Sequence, residues 1–425
     1  MRFEIAAACA VAIASMFGAN QVAWADAVVG PPAPRVGRTV PTGPLPASLD
    51  LAAAIEAART RSPVIVAAEA EVDASRARLR QAGFRINPTL DVEVENFAGT
   101  GPYSGVDGLE TTVSVNQRLD LGGRRSSRIS AAEAALATQE LRLAIAIAEI
   151  GQLVRTQFAT VVATRDRLAL AVANEARARE LARIADELVA AGREPPLRAL
   201  RARANAAQAG ASLRAAEATD IAARRTLASL FGLSEPVGAV ADERRSAPPE
   251  SVEPRSTLDV RLAEAERLEA EAELRQQRVA GRLDPAVGIG IRRLEETGDT
   301  ALIAGVSLPL PVFDRNQGNV AAARADIRSA EARRDAAIVL ASARIENAGT
   351  SLSAARARVT ALEGLATPQA AEALRLADLS YKAGRLSLLE LLDAQDAYAA
   401  AQSELIDARL ALAEAMATLV RAAAR

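Results

Sequence analysis

The sequence predicts a mainly helical chain made of two internal repeats. Each repeat contributes two membrane-type β-strands to a pair of very long helices. Three observations predict this. A strand pair, a long helix and a glycine turn recur in the same order, 191–197 residues apart. Long stretches without proline carry apolar residues at steps of three, four and seven. Four short segments alternate strictly, with one apolar face each.

Composition narrows the function classes. The chain has 425 residues, of which 50% are hydrophobic, 24% charged and only 3% aromatic. Such an aromatic-poor chain, rich in Ala, Leu, Arg and Glu, favours long helices over one compact core. The 51 basic and 53 acidic residues nearly cancel, which speaks against bulk nucleic-acid binding. Histidine is absent, excluding imidazole acid–base chemistry, Ser-His-Asp triads and His metal sites. No clustered acid, base, nucleophile or phosphate loop suggests an enzyme, and no cofactor is expected.

The first segment reads as an address. Arg2 precedes an apolar run from Ile5 to Gly18, and Ala23-Trp24-Ala25 fits a small-x-small cleavage pattern before Asp26. The run is shorter than the roughly 20 residues a spanning helix needs. Residues 1–25 are therefore expected to be a secretory signal. Cys9 lies inside the run rather than just behind it, so it is not placed for a lipid anchor. Cleavage would leave a mature chain without cysteine, hence without disulfides or thiolate ligands. Residues 26–47, rich in Pro and Gly, read as an extended tether.

The repeats follow from matched landmarks. Asn87-Pro88 with TLDVEVE corresponds to Asp284-Pro285 with AVGIGIR. Ala185-Asp186 corresponds to Ala377-Asp378, and Gly192-Arg193 to Gly384-Arg385. The first repeat is expected over 48–231, with strands at about 89–97 and 110–121 and long helices at about 124–191 and 197–231. Residues 232–256 read as a linker or equatorial segment. The second repeat is expected over 257–425, with strands at about 286–294 and 301–312 and helices at about 317–383 and 386–423. Ser62-Pro63 marks an earlier helix start. In the first long helix Leu143, Ile147, Ile150, Val154, Phe158 and Val161 belong to the expected seam, which continues through Val172.

The strands lack an internal partner for their apolar faces. Leu90, Val92 and Val94 point one way, and Asp91, Glu93 and Glu95 the other. Pattern alone also allows a sheet on a soluble core. Export, strand lengths near the membrane-crossing range, and the lack of another element to cover the apolar face favour lipid. Four strands cannot close a barrel, and lipid does not tolerate an open edge. Several copies must therefore pool their strands. Two copies would give eight strands, with an interior filled by side chains; three would give twelve and a hole, so a pore favours a homotrimer.

The stretch Tyr381-Lys382-Ala383-Gly384-Arg385, followed by LSLLELLDAQ to Gln395, resembles the signature of the TolC-type outer-membrane factors of efflux systems. Residues 87–97, Gly99 and 117–125 (QRLDLGGRR) are similar to its cobalt-zinc-cadmium heavy-metal branch. The resemblance covers about residues 48–423. It implies a trimer with a twelve-stranded barrel in the outer membrane of a Gram-negative bacterium and an α-helical tunnel across the periplasm. It also implies a periplasmic adaptor and an inner-membrane proton-driven pump as partners, with heavy-metal cations as the exported substrate.

In this family acidic residues follow the second hairpin turn at the periplasmic entrance. The matching positions here are Glu390 and Asp393, on one helical face. Three copies would form a carboxylate ring that gathers cations. The internal repeat places Arg198 and Arg201 at the equivalent positions of the first hairpin. They are candidate gate partners of the two carboxylates between neighbouring hairpins; the alternative is ordinary solvated charge. Gly192, Arg193, Tyr381, Gly384 and Arg385 form the two turns. The first turn departs from the pattern, because Pro195-Pro196 replaces the second turn's sequence. Asp91, Glu93 and Glu95 would line the barrel lumen. Competing readings are drug efflux or type I polypeptide secretion through the same kind of channel, and, from a different class, a soluble periplasmic coiled-coil adaptor.

Overall fold

A computed structural model describes residue 43 and residues 45–241 and 253–425. The expected signal over 1–25, and the expected tether apart from residue 43 and residues 45–47, lie outside the described residues. The unit Leu45–Arg425 is mainly helical. It opens with β1 (Ser48–Leu49), α1 (Leu51–Arg61) and α2 (Pro63–Ala82). The hairpin β2 (Thr89–Glu95) and β3 (Glu110–Arg118) follows. It leads into α3 (Arg124–Ala190) and α4 (Pro196–Ser229). Within the segment read as a linker, β4 (Ala239–Val240) pairs parallel with β1. The second repeat comprises α5 (Leu258–Ala280), β5 (Ala286–Leu294), β6 (Thr300–Ser307), α6 (Gln317–Ala361), α7 (Thr367–Lys382) and α8 (Leu388–Ala422).

The 67 residues of α3 span about 100 Å at 1.5 Å per residue. Arg–carboxylate pairs three and four residues apart support the exposed helix faces, such as Arg183 with Glu180 and Glu187, and Arg267 with Glu264 and Glu271. The helix expected without interruption over 317–383 contains a π-turn at Leu362–Ala366. Pro368 is the physical reason. It lacks an N–H and crowds the preceding turn, so the ladder widens just before it. Among the described residues no helix is long and apolar enough to cross a membrane.

Burial is concentrated in three places. Ile150, Val154, Phe158 and Val161 of α3 pack with Leu49, Ala54, Ile65, Leu227 and Phe231 near the β1–β4 pair. A second cluster joins the two helical hairpin tips. The third lies beside the π-turn, where Val359 and Leu362 meet Leu405 and Ala408. The seam expected along α3 does not stay buried as far as Val172, which is half exposed. On α6 the buried Ala323, Ala330, Ala341, Ala348 and Val359 step by seven and eleven in turn. Seven plus eleven residues fill five turns of 3.6, so these residues return to one face of the helix, which Leu352 shares.

The four longer strands form one antiparallel sheet in the order β2-β3-β5-β6. Its register puts Leu90, Val115, Ile289 and Ala304 in one row, and Val92, Val113, Ile291 and Leu302 in the next. That face is apolar and open; Leu302 and Val306 are each 75% exposed. The opposite face carries Asp91, Ser114 and Gly290, then Glu93, Thr112 and Arg292. The outer edges of β2 and β6 are unpaired within this sheet.

All four helix–strand connectors leave the same end of the sheet: 83–88, 119–123, 281–285 and 308–316. Side chains knit them together. Arg124 donates to the Ala280 carbonyl at 2.9 Å, Arg125 to the Gly83 carbonyl at 2.7 Å, and Arg282 to the Gly122 carbonyl at 2.9 Å. Two arginines in the first turn of α3 oppose its own dipole. They are accounted for by the neighbouring C-termini of α2 and α5, whose carbonyls they satisfy. Gly122 and Gly123, at φ +74° and +86°, make the corner.

Candidate functional site

Two groups of candidate residues are set by different elements. The first is the pair of hairpin tips. Both turns close in the same way. Gly192 and Gly384 take φ +67° and +69°. The Arg193 N–H donates to the Leu188 carbonyl at 2.9 Å, and the Arg385 N–H to the Ser380 carbonyl at 2.9 Å. This is the Schellman C-cap, in which a left-handed residue lets the next N–H reach back over the last turn. The two turns thus share one backbone geometry.

Beyond the glycines the tips diverge. Pro195 stands before α4 in extended conformation and offers no side-chain cap. At the matching place Ser387 opens α8 with a capping box. Its N–H and Oγ–H donate to Glu390 Oε2 at 2.8 and 2.7 Å, and its Oγ accepts the Glu390 N–H at 3.4 Å. These bonds hold the Glu390 carboxyl below its ordinary range. Arg198 pairs instead with Glu194 one turn back. Among the described residues no ion pair within the protomer joins Arg198 or Arg201 to Glu390 or Asp393. The structure does bring the tips together, because Leu388 and Leu391 pack on Leu181, Ala185, Ala199 and Ala202. Tyr381 packs at this contact, and burial together with the Glu194 charge pushes its hydroxyl pKa up.

Sequence reasoning missed two features of the tips. Leu197, Leu200 and Leu389 are 55–60% exposed. They leave an apolar surface that no pattern rule separates from seam leucines. The Ser387-x-x-Glu390 cap was readable as a capping-box motif.

The second group is the polar sheet face. Asp91 accepts from Asn116 Nδ2 at 2.6 Å. Glu95 pairs with Arg292 at 3.1 Å, and the same guanidinium pairs with Glu110 at 3.0 Å and donates to Thr112 Oγ1 at 3.0 Å. Glu93 makes no hydrogen bond or ion pair among the described residues and lies in the same row as Thr112 and Arg292. Of the three carboxylates, Glu95 is therefore charge-compensated, Asp91 is hydrogen-bonded, and Glu93 projects free charge. Arg292 was not foreseen, because its partners are set by strand pairing across β3. Among the described residues no group of three or more His, Cys, Asp or Glu side chains is arranged to hold a metal ion. Carboxylates held singly can attract passing cations without trapping them.

A sheet apolar on one face and carboxylate-bearing on the other, set at the end of helical hairpins of such length, defines a channel-forming class of membrane protein. The chain belongs to the outer membrane efflux protein family, whose pattern it matches over residues 54–233 and 255–425. It is 31% identical over 360 residues to the cobalt-zinc-cadmium resistance protein CzcC of Cupriavidus metallidurans, covering 82% of this chain and 83% of that protein. It is 33% identical over 280 residues to the nickel and cobalt resistance protein CnrC of the same organism, covering 64% of this chain and 66% of that one. The fold is shared with the outer membrane protein VceC of Vibrio cholerae, at a TM-score of 0.73 and 22% identity over 88% of this chain and 95% of that one.

Proposed function

We propose that this chain is the outer-membrane channel subunit of a tripartite system that exports heavy-metal cations from the periplasm to the exterior. The observation that carries the channel reading is the open sheet. Its apolar face needs lipid, and its unpaired β2 and β6 edges need further copies. Three protomers give the twelve strands that leave a water-filled lumen. The polar face, with Asp91, Glu93 and Glu95, then lines that lumen, and the long hairpins extend it as a periplasmic tunnel. The chain conducts and carries out no chemistry on its cargo.

The likeness to metal-resistance proteins supports metal cations as the substrate. The tips are the proposed entrance, with Glu390 and Asp393 from each protomer forming the acidic ring and Arg198 and Arg201 its gate partners between protomers. The exposed Leu197, Leu200 and Leu389 suit an apolar partner surface, the expected periplasmic adaptor, which connects the tunnel to a proton-driven inner-membrane pump.

The test is deletion followed by growth on zinc, cobalt, cadmium, nickel and copper and on a drug panel. Lost metal tolerance, restored by the plasmid-borne gene, is expected. Lost drug tolerance with unchanged metal tolerance overturns the substrate assignment.

A further inference from the structure

Aromatic residues are scarce in this chain, yet four of them bracket the sheet. Phe97 and Tyr103 stand at the hairpin-loop end, 65% and 51% exposed. Phe84 and Phe313 stand in the connectors at the helix end, 62% and 91% exposed. Leu308 and Leu310 continue the parity of the apolar face beyond β6 and remain exposed. Aromatic residues at both edges of an apolar band are the pattern that membrane interfaces select.

Charge separates the two ends. The hairpin loops 96–109 and 295–299 contain Asp107, Glu295, Glu296 and Asp299 and no arginine or lysine. The connectors at the helix end contain Arg85, Arg282 and Arg315 against Asp120, Asp284 and Asp314, and the flanking Arg118, Arg124, Arg125 and Arg128 tip the balance to positive. Arg118 and Arg124 are committed to the buried Asp284, and Arg128 to Asp120. Arg85, Arg125, Arg282 and Arg315 make no ion pair among the described residues. Arg125, Arg282 and Arg315 reach only backbone carbonyls, those of Gly83, Gly122 and Pro311. The basic end is therefore an exposed cationic collar beside exposed aromatic and leucine side chains, in which Arg125 and Arg282 each bond a carbonyl of another connector.

We infer that this collar is a lipid-binding ledge. Phe84 and Phe313 enter the periplasm-facing leaflet, while Arg85, Arg282 and Arg315 bind the phosphates of anionic phospholipids and fix the depth of the sheet. The argument is charge complementarity together with continuity with the apolar sheet face. Guanidinium groups suit phosphate because their donors match its oxygens in pairs. Arginine stems can follow apolar surface while their heads stay at the phosphate level. The inference rests on the membrane reading of the sheet, so its test carries an internal control for that reading.

Trp24, in the expected signal, is the only tryptophan of the sequence, so a Trp24→Phe background gives clean reporters. Full-length protein is purified from membranes with Val306→Trp on the apolar sheet face or Phe313→Trp in the collar. It is reconstituted in phosphatidylcholine–phosphatidylglycerol vesicles carrying shallow or deep lipid-borne quenchers. Quenching of Val306→Trp by the deep label and of Phe313→Trp by the shallow label is expected. Quenched Val306→Trp with Phe313→Trp quenched only by aqueous iodide overturns the ledge and leaves the membrane reading standing. Unquenched Val306→Trp overturns both. In a second arm, the ratio of phosphatidylglycerol to phosphatidylcholine retained by the purified protein is measured. Arg85→Gln with Arg315→Gln is expected to lower it by about fivefold per arginine, while Arg85→Lys with Arg315→Lys keeps it near wild type. An unchanged ratio in the Gln variant overturns the phosphate assignment and returns these arginines to contacts with another partner.

Discussion

Glu390 is tied to Ser387 before it can act on anything else: its carboxylate accepts both the N–H and the hydroxyl of that residue, at 2.8 and 2.7 Å. A candidate entrance carboxylate is thus also the structural stop of a turn. Ser387→Ala removes the hydroxyl half of the box. It is expected to cost about 1 kcal/mol of local stability. Faster amide hydrogen exchange confined to the first turn of α8 checks it.

The two carboxylates of the proposed entrance should therefore separate on mutation. Asp393 has no such cap. Asp393→Asn is expected to lower cation preference in planar bilayers while leaving amide exchange of the turn unchanged. Glu390→Gln is expected to change both.

The pH dependence follows from the depressed pKa of Glu390. Its hydrogen bonds favour the ionised form, so the cap is fully present above the ordinary glutamate value of 4.5. It is lost as pH falls through the lower value of the folded protein. The charge that Glu390 would bring to the proposed entrance should persist below pH 4.5. Reversal-potential measurements on the Asp393→Asn channel, stepped downward in pH, report this directly.

On the sheet, Arg292 holds Glu95 and Glu110 across three strands. Arg292→Gln frees two carboxylates and removes one positive charge per protomer. Cation preference should rise, with a stability cost of about 0.2–1 kcal/mol per lost cross-strand pair. An unchanged or lowered cation-to-anion permeability ratio would place this face outside the conducting path.

Phe158 is fully buried where α3 meets α1 and α4 beside the β1–β4 pair. Phe158→Ala should cost about 3–5 kcal/mol. Lower thermal stability of the purified protein, with no change in the ion selectivity of the channels that still form, would assign the residue to packing alone.

The proposed entrance was legible only in part. The Gly-Arg pairs mark the turns because a left-handed C-cap needs glycine and punctuates any helical pattern. Glu390 and Asp393 stand out by their position behind the second turn. That Glu390 is capped, that Arg198 turns back to Glu194, and that the two tips share a leucine–alanine contact depend on side-chain placement, which period and spacing do not encode. The π-turn was hidden for another reason. Pro368 lies inside the helix expected over 317–383, where it removes a ladder hydrogen bond, and a reading that weighed apolar steps passed over it.

The sequence by itself determined the periods: alternation of two in the strands, steps of three, four and seven along the helices, and a turn written twice. These are local properties, fixed by backbone geometry and by which residues tolerate it. Only the tertiary structure decided that β3 lies against β5. With that came the pairing of Arg118 with Asp284 and of Arg292 with Glu110, across 166 and 182 residues of chain. Such charges find their partners through the register of a sheet built from both repeats, and no stretch of either repeat contains that information alone.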